Sequence, residues 1–106
     1  MLNMNYEEIV IKIIVSGGDA RSHAMKAIFK AKEGEIEVAR EELVKASESL
    51  EVAHDIQTQL IQDEAAGNGK DITLLMVHAQ DHLMNAMTVR DMAREFVDMY
   101  DKFSTH

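Results

Sequence analysis

The sequence predicts an all-α fold, a three-helix antiparallel up-down-up bundle built as one domain over residues 1–106. Three observations carry this. The chain has no Pro and no Trp and is rich in Ala, Glu, Met, Leu and Ile, a helix-forming composition. Apolar residues recur three and four positions apart along three long stretches. Gly34 and the cluster from Gly67 to Asp71 separate those stretches.

The first helix is expected over about residues 6–33. Asn5 is its N-cap, and Glu7 and Glu8 suit the positive end of the helix dipole. Ile9, Val10, Ile13, Ile14, Gly17, Ala20, Ala24, Ala27, Ile28 and Ala31 trace one stripe. "SGGDARS" interrupts it, and each glycine weakens a helix by about 1 kcal/mol relative to Ala. A hinge is the favoured expectation, either a bend or a break that Asp19 restarts as a cap. Close backbone approach to something small is the alternative.

The second helix is expected over about residues 35–66. Ile36, Ala39, Leu43, Ala46, Leu50, Ala53, Gln57 and Leu60 form a heptad-like seam, with charge on most other positions. "GNGK" lacks the full glycine–lysine–hydroxyl spacing of a phosphate loop and follows a helix, so it reads as a mobile turn.

The third helix is expected over about residues 72–103, with Asp71 as N-cap. One stripe carries Leu75, Ala79, Leu83, Ala86, Ala93, Val97 and Tyr100. A second, roughly opposite, carries Leu74, Val77, Met84 and Met92 among His78, Asp81, Asn85 and Thr88. A helix apolar on both sides needs two burial partners. The bundle supplies one and a second copy of the chain supplies the other. A homo-oligomer of closed symmetry with the third helix at its centre is therefore expected.

The net charge of -8 argues against a nucleic-acid backbone as partner, which needs basic patches. Cysteine is absent, so the chain has no disulfides and no thiol chemistry, in keeping with a reducing compartment. The apolar run from Ile9 to Val15 follows two glutamates and is interrupted by Lys12, unlike a signal peptide. No stretch approaches the length of a spanning helix. A soluble, cytoplasmic protein without direct membrane insertion is expected.

The stretch "LLMVHAQDHLMNAM" places His78, Asp81 and His82 in a run that is otherwise made for burial. Positions i, i+3 and i+4 meet on a helix, with Asp81 and His82 flanking His78 on different sides. Three readings fit the residues. The first is polar decoration of a helix surface. The second is half of a metal site, since a histidine pair four apart with a carboxylate resembles part of a zinc site. The third is nucleophilic catalysis, because an imidazole with its ordinary pKa of about 6.5 is neutral and nucleophilic near pH 7. A phosphorylated imidazole would need donors, from His82, from hydroxyls or from backbone N–H groups near the first-helix glycines.

"VHAQDHLM" (Val77 to Met84) resembles the phosphorylation-site motif of the IIA component of the lactose/cellobiose (diacetylchitobiose) branch of the bacterial sugar phosphotransferase system. "SGGDARSHAMKAI" (Ser16 to Ile28) resembles that family's first-helix segment. "AHDIQTQLI" (Ala53 to Ile61) resembles the end of its second helix. The resemblance is collinear and covers nearly the whole chain. It implies a homotrimer, a nine-helix bundle. It implies that His78 accepts a phosphoryl group from HPr and passes it to a cysteine of the IIB component. The sugar, a β-linked disaccharide of cellobiose, lactose or chitobiose type, is then phosphorylated as it crosses the membrane through IIC. It also implies that three copies of Asp81 share one structural Mg2+ at the trimer axis. That agrees with the residue-based placement of Asp81, since converging buried carboxylates need a proton or a cation, and oxygen donors favour a hard ion. His82 is the candidate neighbour that steadies the phosphoryl group or orients His78.

A helical oligomeric scaffold or adaptor without chemistry is the rival from another class, and a metalloenzyme is a third. The resemblance implies that His23, after "ARS", sits where the family tolerates varied residues; His54 reads as structural or exposed, and His106 as a chain end. Met76, Met84, Met87 and Met92 read as core and interface filler.

Overall fold

The computed structural model describes residues 5–104. They form three helices, α1 (Tyr6–Lys32), α2 (Ile36–Ala65) and α3 (Leu74–Ser104), and the described residues contain no strand. The bundle is a rod of 57 × 21 × 20 Å. Helix α1 packs closely against both others, and α2 touches α3 over a smaller contact.

Asn5 caps α1 as expected: its side-chain oxygen accepts the Glu8 N–H at 2.9 Å, and its amide donates to the Glu8 carboxylate at 3.2 Å. Both connections turn on a left-handed glycine, Gly34 at φ 84° and Gly67 at φ 88°. Around each, two backbone bonds close the same Schellman pattern. Glu35 N–H reaches Lys30 O at 2.9 Å and Gly34 N–H reaches Ala31 O at 3.0 Å. Asn68 N–H reaches Asp63 O at 2.8 Å and Gly67 N–H reaches Glu64 O at 3.0 Å.

The start of α3 corrects the expectation. The cap is Thr73, not Asp71: Met76 N–H donates to Thr73 Oγ1 at 3.1 Å. The reason is tertiary. Tyr6 Oη donates to the Asp71 carbonyl at 2.7 Å and lies 2.9 Å from Thr73 Oγ1, so the Thr73 hydroxyl donates back to it. A phenol at the start of α1 thus holds the loop that enters α3.

The glycine pair also departs from expectation. Helix α1 runs unbroken through Ser16, Gly17 and Gly18, and Asp19 restarts nothing. Gly17 is buried, and a Cβ on it would stand 3.6 Å from the His82 carbonyl and the Leu83 α-carbon. Close backbone approach is the outcome, and what approaches is the backbone of α3. The glycine N–H groups belong to the α1 helical ladder, so they are not donors for a group on His78.

The core has two parts. One, toward the start of α1 and α3, gathers Ile9, Val10, Ile13, Leu50, Ile56 and Leu83 with small residues between them. The other is mostly alanine, with Leu43 and Val97, and side chains this small let the three backbones run close together. Ile56 joins the core although it lies outside the expected seam, and Leu75 and Tyr100 of the expected stripe are exposed. The second stripe of α3 is uncovered in a single chain: Leu74 is 87% exposed and Val77, Met84 and Met92 about half. Helix α1 carries its own uncovered residues, Ile11, Val15 and Phe29, which the sequence reading did not single out.

Candidate functional site

His78 and His82 lie one turn apart on α3, the first exposed and the second half-buried. Their ring centroids are 5.7 Å apart and the planes meet edge to face at 70°. His82 is seated from below, because the backbone at His82 and Leu83 rests on Gly17 of α1. His78 stands above it with open access, flanked on the chain by Val77, itself half exposed.

Asp81 is exposed, and its Oδ2 accepts the Asn85 amide at 3.4 Å. It belongs to the uncovered stripe with Leu74, Met84 and Met92, on the flank of His78 away from His82. A short polar chain braces the neighbouring surface. Gln57 of α2 donates to Gln80 of α3 at 2.6 Å, and the Gln80 amide faces Met76 Sδ at 3.7 Å. Beside it, a cavity of about 350 Å³ opens between the end of α2 and the start of α3, lined by Leu60, Ile61, Ile72, Met76 and Val77 among others.

The structure places His78, His82 and Asp81 on neighbouring positions of α3 and leaves His23 and His54 apart. Among the described residues no group of three His, Cys, Asp or Glu could hold a metal ion within one chain. His54 is exposed beside a separate cleft of about 260 Å³ that also holds Ser47 and Arg90. His106 lies outside the described residues.

His23 is not idle. Its Nδ1 lies 2.6 Å from Oε2 of Glu42, a carboxylate that is only 3% exposed. Lys26 and Lys45 stand 3.4 and 3.5 Å from the other carboxylate oxygen. Burial alone pushes the Glu42 carboxyl up. The hydrogen bonds from His23 and Lys26 and the charges of Lys26 and Lys45 outweigh it, so the net direction is below the ordinary carboxylate range. One signal for this lay in the sequence. Glu42 falls three positions after Ala39 and four before Ala46, at the margin of the buried seam.

Against known proteins, residues 8–101 match the family model described as "PTS system, Lactose/Cellobiose specific IIA subunit". The chain is 54% identical over 103 residues to the lichenan-specific phosphotransferase enzyme IIA component of Bacillus subtilis, covering 97% of this chain and 94% of that one. The crystal structure of the cellobiose-specific enzyme IIA from Bacillus anthracis superposes with a TM-score of 0.91 at 47% identity, over 97% of this chain and 94% of the other. The IIA chitobiose component in its complex with HPr, from Escherichia coli, superposes with a TM-score of 0.83 at 33% identity, over 96% and 99%. No described helix is long and apolar enough to cross a membrane. Three helices of this layout, a histidine pair one turn apart on the third with His78 exposed, and a family match along nearly the whole chain lead to one assignment: the protein belongs to the lactose/cellobiose-specific IIA family of the phosphotransferase system.

Proposed function

We propose that this protein is the IIA phosphocarrier of a sugar-uptake system and that His78 carries the phosphoryl group. The observation that supports this most directly is the exposure of His78 beside half-exposed apolar side chains, which suits docking of a protein donor. A lone pair on the neutral His78 ring attacks the phosphorus of phospho-HPr. The bond from phosphorus to HPr breaks as the N–P bond to His78 forms, and HPr leaves with the electron pair. In the second step a cysteine thiolate of the IIB component attacks the same phosphorus, and His78 leaves as neutral imidazole. The E. coli relative that complexes with HPr supports HPr as donor here. Relatives named for lichenan, cellobiose and diacetylchitobiose support a β-linked sugar of cellobiose, lactose or chitobiose type, which IIC would pass across the membrane. The site of action would be the cytoplasm.

His82 is the positioning partner in this reading. Its ring meets His78 edge to face, close enough to limit the rotamers of His78 and to lend an N–H to a phosphoryl oxygen.

The uncovered stripe of α3 is the trimer face in this reading. It would bring three Asp81 carboxylates together around one Mg2+. The donor set fits: Asp81 supplies hard oxygen, Asn85 lies beside it, and the described residues of one chain form no complete metal site on their own. The ion would neutralise converging charge and take no part in transfer.

The test is incubation with phosphoenolpyruvate, enzyme I and HPr, followed by mass measurement. The wild-type chain gains one acid-labile phosphoryl group and His78→Gln gains none. A His78→Gln chain that still gains it would refute the assignment and favour an adaptor without chemistry.

A further inference from the structure

We propose that His78 and His82 also form a chelating site for one borderline-soft divalent cation, with Zn2+ the ion that fits the donors best. The two imidazoles project from the same side of α3, one turn apart. Two imidazoles bound to one tetrahedral Zn2+ at the usual Zn–N distance of about 2.0–2.1 Å hold their ring centres about 5 Å apart. The rings stand at 5.7 Å, near that spacing, and two histidines four apart on a helix can turn their nitrogens onto one metal, as the pair in an H-E-x-x-H site does. Among the described residues neither ring is committed to a hydrogen bond or ion pair, which leaves a lone pair on each neutral ring for a metal.

The donor chemistry sets the selectivity. Imidazole nitrogen suits Zn2+, Cu2+ and Ni2+, whereas Mg2+ prefers oxygen. Asp81 lies on the other flank with Asn85 as its partner, and among the described residues no third His, Cys, Asp or Glu converges there. Water would fill the remaining positions, which makes the site open and the binding reversible.

The consequence rests on the phosphocarrier reading. A lone pair held by the metal cannot attack phosphorus, and a phosphorylated ring offers one donor fewer. Metal and phosphoryl group therefore exclude each other at His78. The carrier stalls while the ion is bound and resumes when it leaves.

The experiment uses the full chain and ZnCl2, titrated calorimetrically in excess Mg2+ so that hard oxygen sites are filled. One Zn2+ per chain is expected. Removing one arm of the chelate, by His82→Gln or His78→Gln, weakens binding at least about tenfold, because the second imidazole binds at high effective concentration. His54→Gln binds as wild type does. Ring-nitrogen NMR shifts are expected at both His78 and His82. Zn2+ binding that is absent from the wild type, or unchanged in His82→Gln, overturns the chelate. In a second arm, purified phospho-HPr is mixed with the chain, with and without Zn2+ and EDTA. Uptake that slows with Zn2+ and recovers with EDTA supports exclusion, and uptake by the Zn2+-loaded chain at the metal-free rate overturns it. A chain that binds Zn2+ through both histidines yet takes no phosphoryl group in EDTA overturns the phosphocarrier reading and leaves the chelate standing.

Discussion

Nδ1 of His23 lies 2.6 Å from Oε2 of Glu42 and joins α1 to α2 through a carboxylate that is almost wholly buried. The arrangement is lopsided. Glu42 cannot reach water, whereas the His23 side chain is 34% exposed and those of Lys26 and Lys45 are more than half exposed. Removing the acid therefore frees partners that can hydrate, and removing the partners strands a buried carboxylate. Glu42→Leu is expected to change stability little, in line with apolar replacement of buried charge. His23→Ala is expected to cost about 1–3 kcal/mol, the range for leaving a buried polar group unsatisfied. Urea unfolding of both variants at neutral pH checks the order, and a larger loss in Glu42→Leu would contradict it.

The same carboxylate sets a pH dependence. Its folded-state pKa lies below its ordinary value, so its contribution is present at neutral pH and is lost as the pH falls through the folded-state pKa. Glu42→Gln removes that titration. Melting temperatures measured from neutral to acid pH should fall less for Glu42→Gln than for the wild type. Parallel curves would remove Glu42 from the acid limb.

Gly17 has room for a methyl group, at an ordinary contact distance of 3.6 Å from α3. Gly17→Ala is expected to be neutral or to stabilise by up to about 1 kcal/mol, since Ala favours the helix interior. Gly17→Leu is expected to push α3 away at His82, lowering the melting temperature and slowing phosphoryl uptake together. Thermal melts and the uptake assay decide this, and a fully active Gly17→Leu would show that the contact with His82 is not needed.

On the proposed trimer, Asp81→Leu is expected to leave the assembly intact, more stable if anything, because an apolar cluster would replace three facing carboxylates. Sedimentation equilibrium reads the mass directly. A monomer would count against the axial position of Asp81.

Thr73→Ala removes the cap of α3 and is expected to cost about 1 kcal/mol. Tyr6→Phe removes the hydroxyl that links Asp71 to Thr73 and is expected to cost a similar amount, about 1 kcal/mol. Because Tyr6 acts partly through Thr73, the double variant should lose less than the sum. Additive losses would mean that the two residues hold the loop independently.

Much of this molecule was legible in the order of its residues. The three helices were, because apolar spacing of three and four has few other outcomes and Gly34 and Gly67 sit where the backbone must turn left-handed. So was the meeting of His78 and His82, since one helical turn fixes it. What stayed hidden depends on a second element. Asp71 and Thr73 are both capping types, and only Tyr6 decides between them. Gly17 shows its cost in the sequence but not the neighbour that makes it useful. Glu42 reads as surface charge until His23 and Lys26 arrive from α1.

The Tyr6 hydroxyl has a wider effect than its two bonds. It couples the chain's first helical turn to the entry of the helix that bears His78. Amide protons in the first turn of α3 should then exchange with solvent at the pace of the start of α1, as one cooperative segment. A partner gripping that end would meet a surface already ordered, and association would sacrifice little chain freedom there.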